Sequence, residues 1–180
     1  DVVKSYSDKS MIWTQTITQG EGRSNGVELF INKNFNNFSG WLSYTLSWAY
    51  NKFPSIDNNT EFYSPYDRRH VLNLTCSYYI NKNWKANFNF QFMSGQPITI
   101  PRYYYLVSNT NLIDNSTFAG SDRSIVWGYG VRNKLRMKDV HHLDFSINRK
   151  IKIKKHKGVV ELGCYNVYNR QNPFYYYGKI

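Results

Sequence analysis

The sequence predicts an all-β chain, an antiparallel up-and-down sheet of the transmembrane-barrel kind. Three observations carry that prediction. Residues alternate with period two over segments of about ten, long enough to cross a bilayer as tilted strands. In each segment one face collects rings and aliphatics while the other collects amides and hydroxyls, as between lipid and a wet interior. The connections also alternate between short turns and long loops along the chain, which places every short turn at one end of the sheet.

The clearest segment is RRHVLNLTCSYYI-NKN-WKANFNFQF, residues 68–92. Leu72, Leu74, Cys76, Tyr78 and Ile80 alternate with Asn73, Thr75, Ser77 and Tyr79, and after Asn81-Lys82-Asn83 the pattern resumes with Ala86, Phe88, Phe90 and Phe92 against Asn87, Asn89 and Gln91. A turn at these three residues pairs Cys76 with Phe88, Leu74 with Phe90 and Leu72 with Phe92, so one face is apolar throughout. The other pairs Ser77 with Asn87, Thr75 with Asn89 and Asn73 with Gln91. A soluble sandwich would carry Lys and Glu on its outward face, and few rings inside.

Taken from the start, residues 1–10 are polar and carry no pattern, residues 11–18 (MIWTQTIT) read as a short strand, and Gln19-Gly20-Glu21-Gly22 reads as a turn. Residues 26–34 form the next strand, with Val27, Leu29 and Ile31 opposite in parity to Glu28, Phe30 and Asn32. Asn36-Asn37 tolerates positive φ and suits a two-residue hairpin, which pairs Ile31 with Leu42, Leu29 with Tyr44, Val27 with Leu46 and Glu28 with Thr45. Residues 40–50 are that partner strand. A connection over residues 51–67 holds Pro54, Asp57-Asn58-Asn59 and Pro65. Beyond the central hairpin, residues 94–139 lack alternation and read as a long loop. Residues 140–149 (VHHLDFSINR) and 159–168 (VVELGCYNVY) are the last two strands, joined by a basic turn at Lys154-Lys155-His156-Lys157. Seven strands are thus expected, an arc short of the even number of a closed bacterial barrel.

Composition narrows the function. With 23 Lys and Arg against 12 Asp and Glu, the chain is strongly basic, and 18% of it is aromatic. A basic, Tyr-rich β protein could stack single-stranded nucleic acid. Here the cations gather near turns and loops, at Arg68-Arg69 and over residues 132–138 and 149–157, and are sparse in the alternating cores, a distribution suited to lipid phosphates. The acidic residues show no paired spacing for acid-base catalysis, so no enzyme is expected. His141 and His142 point to opposite faces of a strand, so no metal site is expected either. Cys76 and Cys164 fall on the apolar parity of strands that are not neighbours, and read as small lipid-facing hydrophobes rather than a disulfide.

The segments GRSNGVELFINKNF, YDRRHVLNLTCSYYINKNWKANFNFQFMSGQPITIP, HHLDFSINRK and ELGCYNVYNRQNPFYYY, in that order, resemble the C-terminal barrel portion of TonB-dependent outer-membrane transporters. The likeness is to the type with a carboxypeptidase-regulatory-like domain ahead of the plug, and it covers most of the chain apart from its ends and the long loop. It implies a bacterial outer-membrane location and a barrel of about 22 strands, of which residues 1–180 would be the C-terminal part, without the plug domain and the final strand. The implied function is active import of a bulky nutrient, without a cofactor. The implied partners are the rest of the barrel and its plug, TonB in the periplasm through the N-terminal part, outer-membrane lipid and a surface lipoprotein lid, with no nucleic acid among them. Arg102, Tyr103, Tyr104, Tyr105 and Trp127 are the candidates for touching substrate or lid, because rings offer contact area at small entropic cost. Glu28, Asn32, Thr45, Asn73, Asn87, Asn89, Gln91, Asp144 and Asn148 are the lumen-facing or plug-facing set. The alternatives are a self-contained eight-stranded barrel acting as anchor or small pore, and a soluble β-barrel binding single-stranded nucleic acid.

Overall fold

A computed structural model describes residues 18–108 and 123–176. The described residues are all-β apart from one 3-10 turn, with strands β1 (Glu21–Phe35), β2 (Phe38–Lys52), β3 (Phe62–Tyr63), β4 (His70–Tyr79), β5 (Trp84–Met93), β6 (Pro97–Ile98), β7 (Pro101–Ser108), β8 (Arg123–Tyr129), β9 (Leu135–Arg136), β10 (Val140–Ile153) and β11 (His156–Cys164). The main sheet is antiparallel in the order β1-β2-β4-β5-β10-β11, with β3 also paired to β2. It is open: β1 and β11 stand at opposite edges and do not pair with each other.

The predicted registers are the observed ones. Ile31 faces Leu42 and Glu28 faces Thr45 across the first hairpin, and Leu74 faces Phe90 and Thr75 faces Asn89 across the second. Alternation fixes this, because slipping one residue would turn every ring to the amide side. The pairs Leu42–Leu74 and Phe90–Leu143 continue the row across the hairpin boundaries, so one apolar face runs through all the long strands.

Asn36 adopts φ 31° in the tight turn, and the carbonyl of Asn37 accepts a 2.7 Å bond from the Tyr79 amide, stitching the first hairpin to β4. A β-branched side chain resists that φ. Asn36→Val is therefore expected to destabilise the hairpin by about 1–2 kcal/mol, whereas Asn36→Gly should be near neutral, as read by denaturant midpoints of the two variants.

Three expectations are corrected. Glu21-Gly22 is not a turn: β1 starts at Glu21, because Gly22 and Arg23 find partners in Asn51 and Tyr50 of an equally extended β2. The last strand stops at Cys164 rather than residue 168, where Asn166 and Asn169 take positive φ and the Asn166 amide turns in to Asp144 at 2.9 Å. Residues 94–139 are not simply a loop, since β6 pairs β9 and β7 pairs β8, forming a two-stranded arm. Its aromatic repeats conceal the alternation, because Tyr occupies both parities. The strand expected at residues 11–18 lies, but for Thr18, outside the described residues.

The sheet is a single layer. Every substantial contact between described strands is between hydrogen-bonded neighbours, so no described strand packs across a face of another. Ala86 and Met137 are the only buried members of the hydrophobic core among the described residues, whereas Leu29, Ile31, Leu74, Phe88 and Leu162 are exposed. The hairpins are also staggered. From the level row Ile31, Leu42, Leu74, Phe90, Leu143, the turn after β1 comes between five and six residues on, that after β4 eight, and that after β10 between eleven and twelve.

Candidate functional site

The amide face is a hydrogen-bonded mesh across β4, β5 and β10. The Ser77 hydroxyl donates to Asn87 Oδ1 at 2.9 Å, and Asn87 Nδ2 donates to Ser146 Oγ and Asn148 Oδ1, both at 3.0 Å. One row along, Thr75 donates to Asn89 Oδ1 at 3.0 Å and Asn89 Nδ2 to Asp144 Oδ2 at 3.4 Å. Asn73 reaches Ser43 at 3.4 Å, and Asn148 reaches Glu161 at 3.5 Å. Gln91 lies between Asn73 and His142 in register, and Glu28, Thr45 and Asn32 continue the same parity onto β1 and β2. All nine residues expected on this face therefore share it. Because most of the amides already bond side chains on neighbouring strands, the mesh stiffens the wall and presents a wettable surface.

The opposite face has rings towards both ends. Toward the long connections stand Trp48, Tyr50 and the pair Tyr44–His70, whose polar atoms meet at 2.8 Å; toward the short turns stand Phe38, Tyr78 and Trp84. Cations sit over several of the rings, Arg69 over Trp48 at 4.9 Å, Arg23 over Tyr50 at 5.1 Å and Arg149 over Trp84 at 5.0 Å. Cys76 and Cys164 are both free and lie on this face with two strands, β5 and β10, between them.

At the looped end lies a cluster that sequence reasoning missed. Asp67 is the one large side chain buried essentially completely among the described residues. Its Oδ1 accepts the Ala49 amide at 2.7 Å, its Oδ2 is paired with Arg136, and Arg69 lies 3.7 Å from the same oxygen. Arg136 also donates to the Gly95 carbonyl at 3.0 Å, and Arg68 donates to the Ser94 carbonyl at 2.9 Å and Gln96 Oε1 at 3.1 Å. Tyr63 lies under both Arg69 and Arg136, and its carbonyl accepts from Asn133 Nδ2 at 2.7 Å. Gly95 has no room for a Cβ, which would strike the carbonyl of Met137. One carboxylate thus joins the β2–β4 connection, the start of the β5–β7 segment and β9. The available signal was an Asp beside two arginines in an acid-poor chain; the third arginine, 69 residues away, gave none.

The arm rises from this fixed base. Tyr104 meets Trp127 edge-on at 5.7 Å, with Leu106 and Ile125 paired next in register, while Tyr103 covers Gly128 and shares the other side with Tyr105. Arg102 falls at the irregularity between Pro101 and Tyr103 and lies along Gly130. The structure therefore brings Tyr104 and Trp127 together and sets Tyr103 and Tyr105 apart from them. All three tyrosines are exposed, at 62%, 54% and 52% in chain order, so they do not serve to pack the arm against the sheet.

His141 and His142 diverge as expected, His141 Nδ1 to the Tyr168 hydroxyl at 2.7 Å and His142 Nε2 to Asp144 at 3.4 Å. In comparisons with protein-family models, curated proteins and solved structures, no match to this chain is found. The functional reading accordingly rests on the geometry and the residues.

Proposed function

We propose that this chain is wall and mouth of a TonB-dependent importer of a bulky nutrient in a bacterial outer membrane. The observation that carries the reading is the single-layer sheet, apolar on one face, amide on the other, and covered on neither by another described strand. A soluble domain buries the apolar face of its sheet under a second layer. Lipid supplies that cover without one, and further strands of the same barrel would take up the free edges β1 and β11.

The stagger supports it quantitatively. If the three short turns lie in one plane, six residues of drift at ~3.3 Å over four strand spacings of ~4.8 Å tilts the strands by about 45°, near the barrel range. At that tilt the ten residue steps from Phe38 to Trp48 span roughly 23 Å along the membrane normal, close to the apolar band of an outer-membrane barrel. The open edges favour a segment of a large barrel over a self-contained eight-stranded one. The engagement of Arg23, Arg69, Arg132 and Arg136 at the looped end by Glu61, Asp67 and Asp57 favours either over a nucleic-acid surface. Tyr104 and Trp127 then stand at the outer mouth for cargo or a lipoprotein lid, with the amide face toward the plug. TonB would act through that plug.

Two measurements on the intact protein test this. With single-tryptophan variants in vesicles, brominated phospholipid should quench Trp84, on the apolar face, and spare Trp41, on the amide face. In planar bilayers a plugged importer should stay electrically silent until urea unfolds the plug. Equal quenching of the two tryptophans would end the membrane reading; steady conductance without urea would replace the importer with an open pore.

A further inference from the structure

At the looped end the cations have acidic or carbonyl partners: Arg23 with Glu61, Arg132 with Asp57, Arg136 and Arg69 with Asp67, and Arg68 with the Ser94 carbonyl. The short-turn end is built differently. No Asp or Glu lies within three residues of any of the three turns, and among the described residues no lysine takes part in an ion pair. Several lysines there share one side of the sheet. Along β10 the amide parity runs Ser146, Asn148, Lys150, Lys152, while Ile151 and Ile153 take the apolar parity. The register sets Lys85 and Glu161 on either side of Asn148, Val159 opposite Lys150 and Lys157 opposite Lys152, and Tyr79 follows Lys85 in the first of these rows. Like charges placed as Lys152 and Lys157 are destabilise a ladder unless an anion lies between them. Tyr79, Lys82, Lys85, Asn148, Lys150 and Val159 line one groove, with the Lys85 ammonium 5.4 Å from the centre of the Tyr79 ring.

We propose that this corner of the amide face seats a carboxylate-rich surface of the plug, held by Lys85, Lys150, Lys152 and Lys157. The proposal rests on the importer reading, which sets a plug against the amide face, and it adds the sign of the plug's charge near the short turns. Two features select a protein surface over a small anionic solute. The lysines spread over three successive rows of the face, more positive charge than a single carboxylate or phosphate group neutralises. Tyr79 and Val159 lie among them, 40% and 62% exposed, and apolar side chains ringed by charge suit a protein interface better than a passage for hydrated ions. Unpaired ammonium groups in such a setting fix the register of a partner of opposite sign.

The test uses the intact protein in phosphatidylcholine vesicles and planar bilayers. A zero-length carbodiimide, which joins a lysine only to a carboxylate in contact with it, should link Lys85, Lys150, Lys152 or Lys157 to Asp or Glu of the plug, as read by mass spectrometry of the peptides. Lys33, at the same end but on the apolar parity of β1, should give no such link. In planar bilayers a K85Q/K150Q/K152Q/K157Q variant should begin to conduct at a urea concentration lower by about 1 M than wild type, and the matching lysine-to-arginine variant should not. Misfolding of the glutamine variant would appear as loss of Trp84 quenching by brominated lipid, and the wild-type cross-links then decide alone. Wild type that is silent until urea but gives no link from these lysines to the plug overturns the contact and leaves the importer reading standing. An unchanged urea threshold in a folded glutamine variant does the same. Steady conductance of wild type without urea overturns the importer reading and the contact with it. An unchanged threshold together with a reversal potential shifted toward cations would assign the lysines to an anionic solute instead.

Discussion

Asp67→Asn is expected to loosen the looped end by about 3–5 kcal/mol while leaving the β4–β5 hairpin intact. The carboxylate side chain is fully buried, and the arginines on either side of it, Arg69 and Arg136, expose only 23% and 29% of their side chains. Removing its charge strands two half-desolvated guanidinium groups against each other, and that penalty exceeds the lost attraction alone. The amide in place of the carboxylate keeps an acceptor for the Ala49 amide, so the effect isolates charge from shape. Exchange at the Ala49 and Asn133 amides should then speed up by more than about a hundredfold, while exchange at Asn73 and Phe90 should not. Arg132→Gln is the comparator. Its pair with Asp57 is 3.0 Å long but more than two-fifths exposed at both side chains, so it should cost under about 1 kcal/mol. If the two variants exchange alike, Asp67 does not hold the connections together, and the arm that carries Tyr104 and Trp127 has no rigid base.

That cluster marks the boundary of what a sequence can disclose. Wherever one face must be apolar, parity alone determines register, and so Ile31–Leu42, Leu74–Phe90 and the amide row from Asn73 to Asn148 were legible from residue order. The ladder β5–β10 joins strands separated by 46 residues, yet Phe90–Leu143 and Phe88–Phe145 agree in parity because both strands obey the same two-faced rule. Parity is silent where both faces are alike. Tyr103, Tyr104 and Tyr105 fill both sides of β7, so the arm looked like loop. It is silent too about charge pairing between remote turns, since nothing in Arg136 itself distinguishes it from the basic residues around it. The strand ends were misplaced for a related reason: Gly22 reads as a turn residue until β2 offers it a partner, and Tyr165 to Tyr168 keep the alternation that Asn166, by turning inward, breaks.

The larger test lies on the apolar face, where Leu74→Arg is expected to destabilise the protein in a bilayer by about 2–4 kcal/mol. Leu74 sits in the level row between Leu42 and Phe90, midway between the two groups of rings; at the proposed tilt that row crosses the bilayer obliquely, with Leu74 near the midplane. A guanidinium there must be drawn toward headgroups or drag water inward. The same substitution at Asn73, one residue away on the amide face, should cost within about 0.5 kcal/mol, because that side is wet. Leu74 is 36% exposed, so if this sheet met water on both sides the two substitutions would cost much the same. The sign of the difference therefore distinguishes a wall in lipid from a sheet in water, independently of any cargo, plug or partner. Reversible unfolding in urea from phosphatidylcholine vesicles measures it, with the gap between Leu74→Arg and Asn73→Arg as the readout. A third variant, Phe38→Arg, at the end of the face beside the first turn, should fall to about 0–1 kcal/mol because the interface tolerates the charge. A depth profile high at Leu74, low at Phe38 and flat on the Asn73 side is what a tilted wall in a bilayer produces; a flat profile on both faces would remove the membrane, and with it the importer.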